Sequence, residues 1–285
     1  LPEDLEWLKD RLKGERQTRV KAQILRCLID ADAPQLDKIV LKALADKKTD
    51  IRMAGLYGVA QLEIKRGVKP AVKALRDANI GVRIEAAKTC KALGGETAFE
   101  GLVGAAREAG NPDLLAALSD ALDTADEAKE AGILVRAMRK EKNKDTSLIL
   151  ARAIGKAAIH EPEICGPALI KLLERREADI REIAVEGLIF AKPPKAISAL
   201  VKRLSDTKPM VRGGAARALF AIGNVPEEAQ DKIQAMAKNS DPAIRLDATI
   251  ALGCLPPDKA LKALSRRIDD EVWAIRDAAV EALEG

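Results

Sequence analysis

The chain has 285 residues, of which 47% are hydrophobic, 32% charged and only 2% aromatic. Its 48 basic and 44 acidic residues leave a net charge of +4, without the large clustered excess expected of a phosphate-backbone binder. No apolar run approaches the ~18 residues of a membrane span, and the opening residues do not read as a signal segment.

Taken in order, Pro2-Glu3-Asp4 predicts a helix start, with proline and acids in the first turn. Leu5, Leu8 and Leu12 form its apolar stripe and Gly14 its end; a partner helix runs from about Thr18 to Asp30. Leu36, Val40, Leu41 and Leu44 then precede a helix from Ile51 to Leu62, and Val72 and Leu75 precede one from Val82 to Leu93. A fourth pair covers Thr97–Ala109 and Pro112 to Thr124; a fifth covers Ala125–Lys142 and Ser147–Ala158. Further pairs begin at Glu161-Pro162, at Pro193-Pro194, near Pro226 and at Pro256-Pro257, where a missing N–H costs little. The last helix carries Ile275, Ala279, Val280 and Leu283 as an apolar stripe. Terminal repeats normally present a polar outer face. If this end lacks one, the array either continues in a longer parent chain or meets a partner.

A frame recurs along these pairs. An acid is followed six places later by Arg, with a β-branched residue before the Arg and small residues three and four places after it. Asp46 and Arg52, Asp77 and Arg83, Asp206 and Arg212, and Asp270 and Arg276 fit it; Arg181 and Arg245 fit with the acid displaced to Asp179 and Asp241. Starting from Lys21 the anchor recurs at Arg52 and Arg83, and again at Arg181, Arg212, Arg245 and Arg276, at steps of 31 to 33 residues. Leu115 and Ser147 occupy the two degenerate positions between. Such a unit holds two helices and two short turns, and cannot bury its apolar faces alone. Stacking the hairpins buries a continuous core.

The D-x5-R frame with Val or Ile before the Arg, then paired alanines and L-x-x-L/I-G, resembles the HEAT repeat. Val82-Arg83, Ala86-Ala87 and Leu93-Gly94 are similar to its phycobilisome-lyase-like subtype. The fold expected is all-α: an α-α superhelix, or HEAT-like solenoid, of about nine helical hairpins running over 1–285 as a single array. Because the chain opens on Leu1, it is expected to be a piece of a longer one. The resemblance further implies that the second helix of each hairpin lines a concave wall. Five places after each anchor, that wall would present Arg26, Tyr57, Lys88, Asp120, Arg152, Glu186, Arg217, Ile250 and Glu281, with Phe190 and Phe220 nearby. A row of mixed charge with a few apolar anchors suits a groove for a protein segment.

Chemistry finds little support. His160 is the only histidine, too few for an imidazole metal cluster, and the several His-Glu pairs of the deoxyhypusine-hydroxylase branch are missing. No nucleophile has a legible base and no phosphate-cradling glycine motif is present. Cys27, Cys90, Cys165 and Cys254 are far apart and are expected as core thiols in a reduced, cytoplasmic setting. No cofactor and no metal is expected. Protein is the expected partner, nucleic acid is disfavoured by the few stacking platforms, and no membrane is involved. The alternatives are a bilin lyase-like or lyase-accessory protein, suggested by the repeat subtype, and a nucleic-acid-binding HEAT protein. The acid–Arg frame itself is expected to be a structural ladder that stops at Leu115 and Ser147. Gly213-Gly214, inside a helix, permits either close packing or a partner's backbone.

Overall fold

A computed structural model describes residues 2–223 and 225–284, which form eighteen α-helices and two short 3-10 turns, with no strand among them. The chain divides into two compact units, Leu1–Thr124 and Ala125–Gly285. Their boundary lies between the hairpins whose anchor positions hold Leu115 and Ser147.

The first unit holds four hairpins: α1 (Pro2–Gly14) with α2 (Thr18–Asp30), α3 (Asp37–Ala43) with α4 (Thr49–Gln61), α5 (Val68–Ala74) with α6 (Ile80–Leu93), and α7 (Glu96–Glu108) with α8 (Pro112–Leu122). The second holds five: α9 (Ala128–Met138) with α10 (Lys144–Ala157), α11 (Pro162–Leu172) with α12 (Ala178–Ala191), α13 (Ile197–Arg203) with α14 (Pro209–Ile222), α15 (Glu227–Met236) with α16 (Pro242–Leu252), and α17 (Pro257–Leu264) with α18 (Trp273–Glu284). Within each unit the second helices pack in series: α2 on α4, α6 and α8, and α10 on α12, α14, α16 and α18. Helix starts are set locally. Asn79, Asn111, Asn143 and Asp241 accept N–H bonds as N-caps, and Pro112, Pro162, Pro209, Pro242 and Pro257 stand in first turns. Gly94 and Gly223 end α6 and α14 at φ of 61° and 69°, a backbone region that favours glycine.

The anchor register repeats in three dimensions. The residue before the anchor points into the hairpin core on α4, α6, α8, α10, α12, α14 and α18, and the one three places after it does so on every second helix, as with Val82 and Ala86 or Val211 and Ala215. Those four and seven places after it are equally buried on α4, α6, α10, α12, α14 and α16, as with Ala216 and Leu219.

The ladder joins neighbouring hairpins rather than closing within one. Arg52 Nε and Nη2 donate to both oxygens of Asp77 at 2.8 Å, and Arg181 does the same to Asp206. Arg245 reaches both oxygens of Asp270 at 3.2 Å. Each Arg also donates Nη1 to two carbonyls of its own preceding turn, such as those of Asp46 and Lys47. Each acid folds back onto an N–H two places on, as Asp206 does to Lys208. The frame acid therefore shapes its own turn and receives the previous hairpin's Arg, a bidentate, charge-assisted bond that sets stacking register.

The ladder also breaks at two places beyond those expected. Arg83 and Arg212 both keep a buried Nε without a partner. After Arg83, Glu108 is already held by Arg76 through two bonds of 2.9 and 2.7 Å. After Arg212, the turn carries Asn239 where other turns carry the acid, and the displaced Asp241 caps α16 at the N–H of Ala243 instead.

Other differences have local causes. The charged run 139–145 shortens α9, because Glu141 accepts from the N–H of Lys142 and Asn143 and so makes a turn. Cys90 and Cys165 are buried and Cys254 half-buried, but Cys27 is exposed, against its expectation as a core thiol. Burial pushes the Cys90 thiol up to about 12 and Cys165 to about 11, so neither is a thiolate near neutrality. Gly213 and Gly214 serve close packing: a Cβ on the first would run into the Asp247 carboxylate and on the second into Val185.

Candidate functional site

The fifth residue after each anchor is exposed or half-exposed on every second helix. In the first unit α2, α4, α6 and α8 carry Arg26, Tyr57, Lys88 and Asp120; in the second α10 to α18 carry Arg152, Glu186, Arg217, Ile250 and Glu281. The reason is angular. On a 3.6-residue helix, positions three, four and seven face the hairpin partner and the next hairpin, and the fifth is turned away from both.

In the first unit the row is preorganised at its start. The Arg26 guanidinium lies 5.2 Å from the centroid of the Tyr57 ring, and Tyr57 Oη donates to Asp30 Oδ1 at 2.5 Å. That bond to Asp30, helped by burial and the Asp30 charge, holds the phenol above its ordinary range, so it stays a neutral donor. An exposed cation–π contact of this kind is worth about 0.5–1 kcal/mol. Further along, Lys88 Nζ stands 3.7 Å from Glu85, and Lys91 donates to Asp120 at 2.8 Å. Beside Arg26 opens a groove of about 450 Å³, lined by Arg19, Val20, Gln23, Arg26, Asp50 and Met53.

In the second unit Phe190 and Phe220 are both exposed. The Phe220 ring rests against Gly253, the residue that follows α16, where a Cβ would come within 2.6 Å of Cε2, so its orientation is fixed by a glycine. Arg152 and Glu186 stand exposed, and Arg217 and Ile250 half-exposed.

Asp247 is the residue that sequence reasoning missed. It lies on α16, half-buried over Gly213 of α14. Burial raises its carboxyl to about 6; the charges of Arg217 and Arg212 oppose this, and Asp241 adds to it. The legible signal was the Gly213 gap, but only the packing shows that an acid from the next hairpin fills it. Because its folded pKa lies above its unfolded value, Asp247 favours the fold fully below about pH 4, and that contribution is lost as pH rises through about 6. Asp247→Asn is therefore expected to stabilise the protein at pH 7 by about 1–2 kcal/mol, allowing for solvent screening, and by almost nothing at pH 4. Urea unfolding at both pH values checks this; an equal gain at both would contradict it.

Among the described residues no group of three or more His, Cys, Asp or Glu side chains could hold a metal ion. His160 lies exposed in the turn after α10. No helix among those residues is long and apolar enough to cross a membrane.

Helical hairpins stacked through their second helices, with a row of unlike side chains turned outward from them, define a HEAT-like α-solenoid. Residues 166–253 and 220–284 match the family model described as HEAT repeats. A search of curated proteins finds no match. Among solved structures, an engineered protein is similar at a TM-score of 0.55 and 20% identity, covering 98% of this chain and 87% of that one. The Escherichia coli protein YibA is similar at 0.51 and 18%, covering 90% and 95%. The karyopherin Kap121p, bound to the extreme C-terminus of the protein phosphatase Cdc14p, is similar at 0.52 and 12%. This chain is covered to 96% by that likeness but spans only 41% of the karyopherin. At these identities the likeness is one of fold.

Proposed function

We propose that this protein is a non-catalytic scaffold or adaptor whose two units each bind protein along the fifth-position row of their second helices. The row is the observation that carries this reading. It recurs in the same register on every hairpin, alternates basic, acidic and apolar members, and includes a preset Arg26–Tyr57–Asp30 anchor. Charge selects the partner, with Tyr57 in the first unit's row and Phe220 and Ile250 in the second's providing desolvated contact. The likeness to a karyopherin solved with a phosphatase C-terminus supports a segment as the ligand. A cytoplasmic setting is part of the same proposal.

The test is a pull-down comparing wild type with an Arg152→Glu/Arg217→Glu double variant, and separately with Tyr57→Ala, each checked for unchanged helicity. The expected result is a protein recovered by wild type and lost by the double variant, with affinity at least about tenfold weaker. Recovery of the same proteins by all three would place the binding surface elsewhere. The bilin lyase-like alternative requires an absorbance shift on mixing with a bilin, and the nucleic-acid alternative an affinity that falls steeply with salt; neither is the expected result.

A further inference from the structure

Neighbouring first helices close on each other at one point in the first unit and leave a groove at the same register in the second. Val72 of α5 lies eleven places before the anchor Arg83, and Gly101 of α7 fourteen before the anchor Leu115. The two pack together: a Cβ on Gly101 would come 2.7 Å from Val72 Cγ1. On α15 and α17, counted from Arg245 and Arg276, the same two places hold Gln234 and Lys262. Both line a groove of about 380 Å³ between the two helices. Long polar side chains stand there in place of a valine seated on a glycine.

The groove is strongly basic. Lys238 stands on its α15 side and Lys259, Lys262, Arg266 and Arg267 on its α17 side, against Asp231 as the one carboxylate in the lining among the described residues. The chain as a whole is nearly balanced, with 48 basic and 44 acidic residues. Two of the five cations are already answered. Lys259 donates to Glu227 at 3.2 Å and to Gln230 at 3.0 Å; Arg267 donates to the Ala237 carbonyl at 2.8 Å and to Asp270 at 3.2 Å. The side chains of Lys238, Lys262 and Arg266 make no hydrogen bond or ion pair among the described residues. Cations beside a helix C-terminus ordinarily answer its exposed carbonyls, but at the end of α15 Arg267 already does so. Lys259, Lys262 and Arg266 also share one face at i, i+3 and i+7, a spacing at which like charges repel.

We propose that this groove binds a small polyphosphorylated anion, its phosphate groups reaching Lys238 on one wall and Lys262 and Arg266 on the other. Three unanswered cations on two walls call for a ligand with several charges pointing to more than one side. A lone carboxylate brings one charge and two oxygens, whereas each phosphate monoester brings three acceptor oxygens and about 1.5–2 negative charges. The Arg266 fork takes two such oxygens at once, and lysine meets phosphate as a compact point charge. The same chemistry is offered by soluble polyphosphates and by phosphorylated lipid headgroups. The site belongs to first helices and is separate from the fifth-position row of the second helices.

Isothermal titration with tripolyphosphate, inositol hexakisphosphate and orthophosphate tests this. Tripolyphosphate is expected to bind one per chain and at least about tenfold more tightly than orthophosphate, which cannot span both walls. Lys262→Glu/Arg266→Glu should weaken it by at least about tenfold, while Lys69→Glu/Lys73→Glu on α5, an equal change in net charge, should leave it within about twofold. All four side chains are exposed, so both variants should fold, as thermal unfolding would verify. Co-sedimentation with phosphatidylcholine vesicles, with and without phosphatidylinositol bisphosphate, separates the two sources. A lipid source gives binding to the phosphorylated vesicles alone, displaced by inositol hexakisphosphate; a soluble source gives none. No binding of either polyphosphate, orthophosphate binding as tightly, or equal losses in the two double variants would overturn the proposal. So would displacement of tripolyphosphate by polyglutamate at equal charge, which would make the groove a site for an acidic segment. None of these outcomes bears on the fifth-position row, whose test uses Arg152, Arg217 and Tyr57.

Discussion

Asp206→Ala is expected to destabilise the protein by about 3–5 kcal/mol, the cost of leaving a buried charge unpaired. The Arg181 and Asp206 side chains are 9% and 2% exposed, and the carboxylate receives Arg181 through both oxygens, Arg203, and the N–H of Lys208. Removing the acid orphans Arg181 between two hairpins and unties the 206–208 turn as well. Replacing both partners, as Arg181→Met/Asp206→Leu, should recover most of the loss, since apolar groups of similar volume need no desolvation. Urea unfolding of the three variants decides the matter. A loss under about 1 kcal/mol for Asp206→Ala would mean that the rung is a solvated surface pair.

The same rung carries a pH signature. Burial is the largest single influence on Asp206 and raises its carboxyl. The Arg181 hydrogen bonds, the Lys208 N–H and the charges of Arg181 and Arg203 together outweigh it, and the group sits below its ordinary range. A carboxyl lowered by folding contributes stability above its unfolded value, near pH ~4, and loses it as pH falls through the lower folded value. The gap between wild type and Asp206→Ala should therefore be widest near neutrality and shrink below about pH 4. Asp77 and Asp270 are lowered as well. For Asp77 burial again opposes and the bond from Arg52 leads the reversal; for Asp270 the bond from Arg245 dominates. Acid unfolding should thus involve several rungs together.

The second large effect is an asymmetry between two glycines that touch. On α12, a Cβ on Gly187 would stand 3.0 Å from the Gly155 Cα of α10 and 2.9 Å from Leu169 Cδ1. Leu169 is fully buried and the opposing atom is backbone, so neither can step aside. On α10, a Cβ on Gly155 would meet Ile183 Cγ2 at 3.6 Å and nothing closer, an ordinary contact. Gly155→Ala should therefore stabilise by about 0.5–1 kcal/mol through helix propensity. Gly187→Ala should destabilise by about 1–2 kcal/mol, overpacking exceeding the same gain. Thermal unfolding of the two single variants checks the sign of each. Two shifts in the same direction would mean that the α10–α12 spacing is not set by this contact.

Much of this architecture is legible in the chain itself. The apolar stripes, the proline-marked turns and the D-x5-R spacing place helices such as Thr18–Asp30 and Pro112–Leu122 within a residue or two, because those signals are local and repeat. The fifth-position row comes from the same register and helical geometry. Where the sequence misleads, a local bond invisible in the spacing takes over, as when Glu141 folds back and cuts α9 short. The frame's acid and Arg look like partners within one turn as much as across two, and spacing alone does not choose. Arg83 and Arg212 carry the full motif yet make no rung, because the next hairpin offers the first a Glu108 already taken by Arg76, and the second Asn239 in place of an acid.

Sequence alone thus determined that this is a stack of two-helix units with a repeated acid–Arg register, since periodicity and turn chemistry act over a few residues. The tertiary structure decided which Arg meets which acid, which glycines are contacts, and that Asp247 lies half-buried against α14. Those facts depend on distances between residues about one repeat apart, a separation at which chain order restrains position weakly and packing sets it.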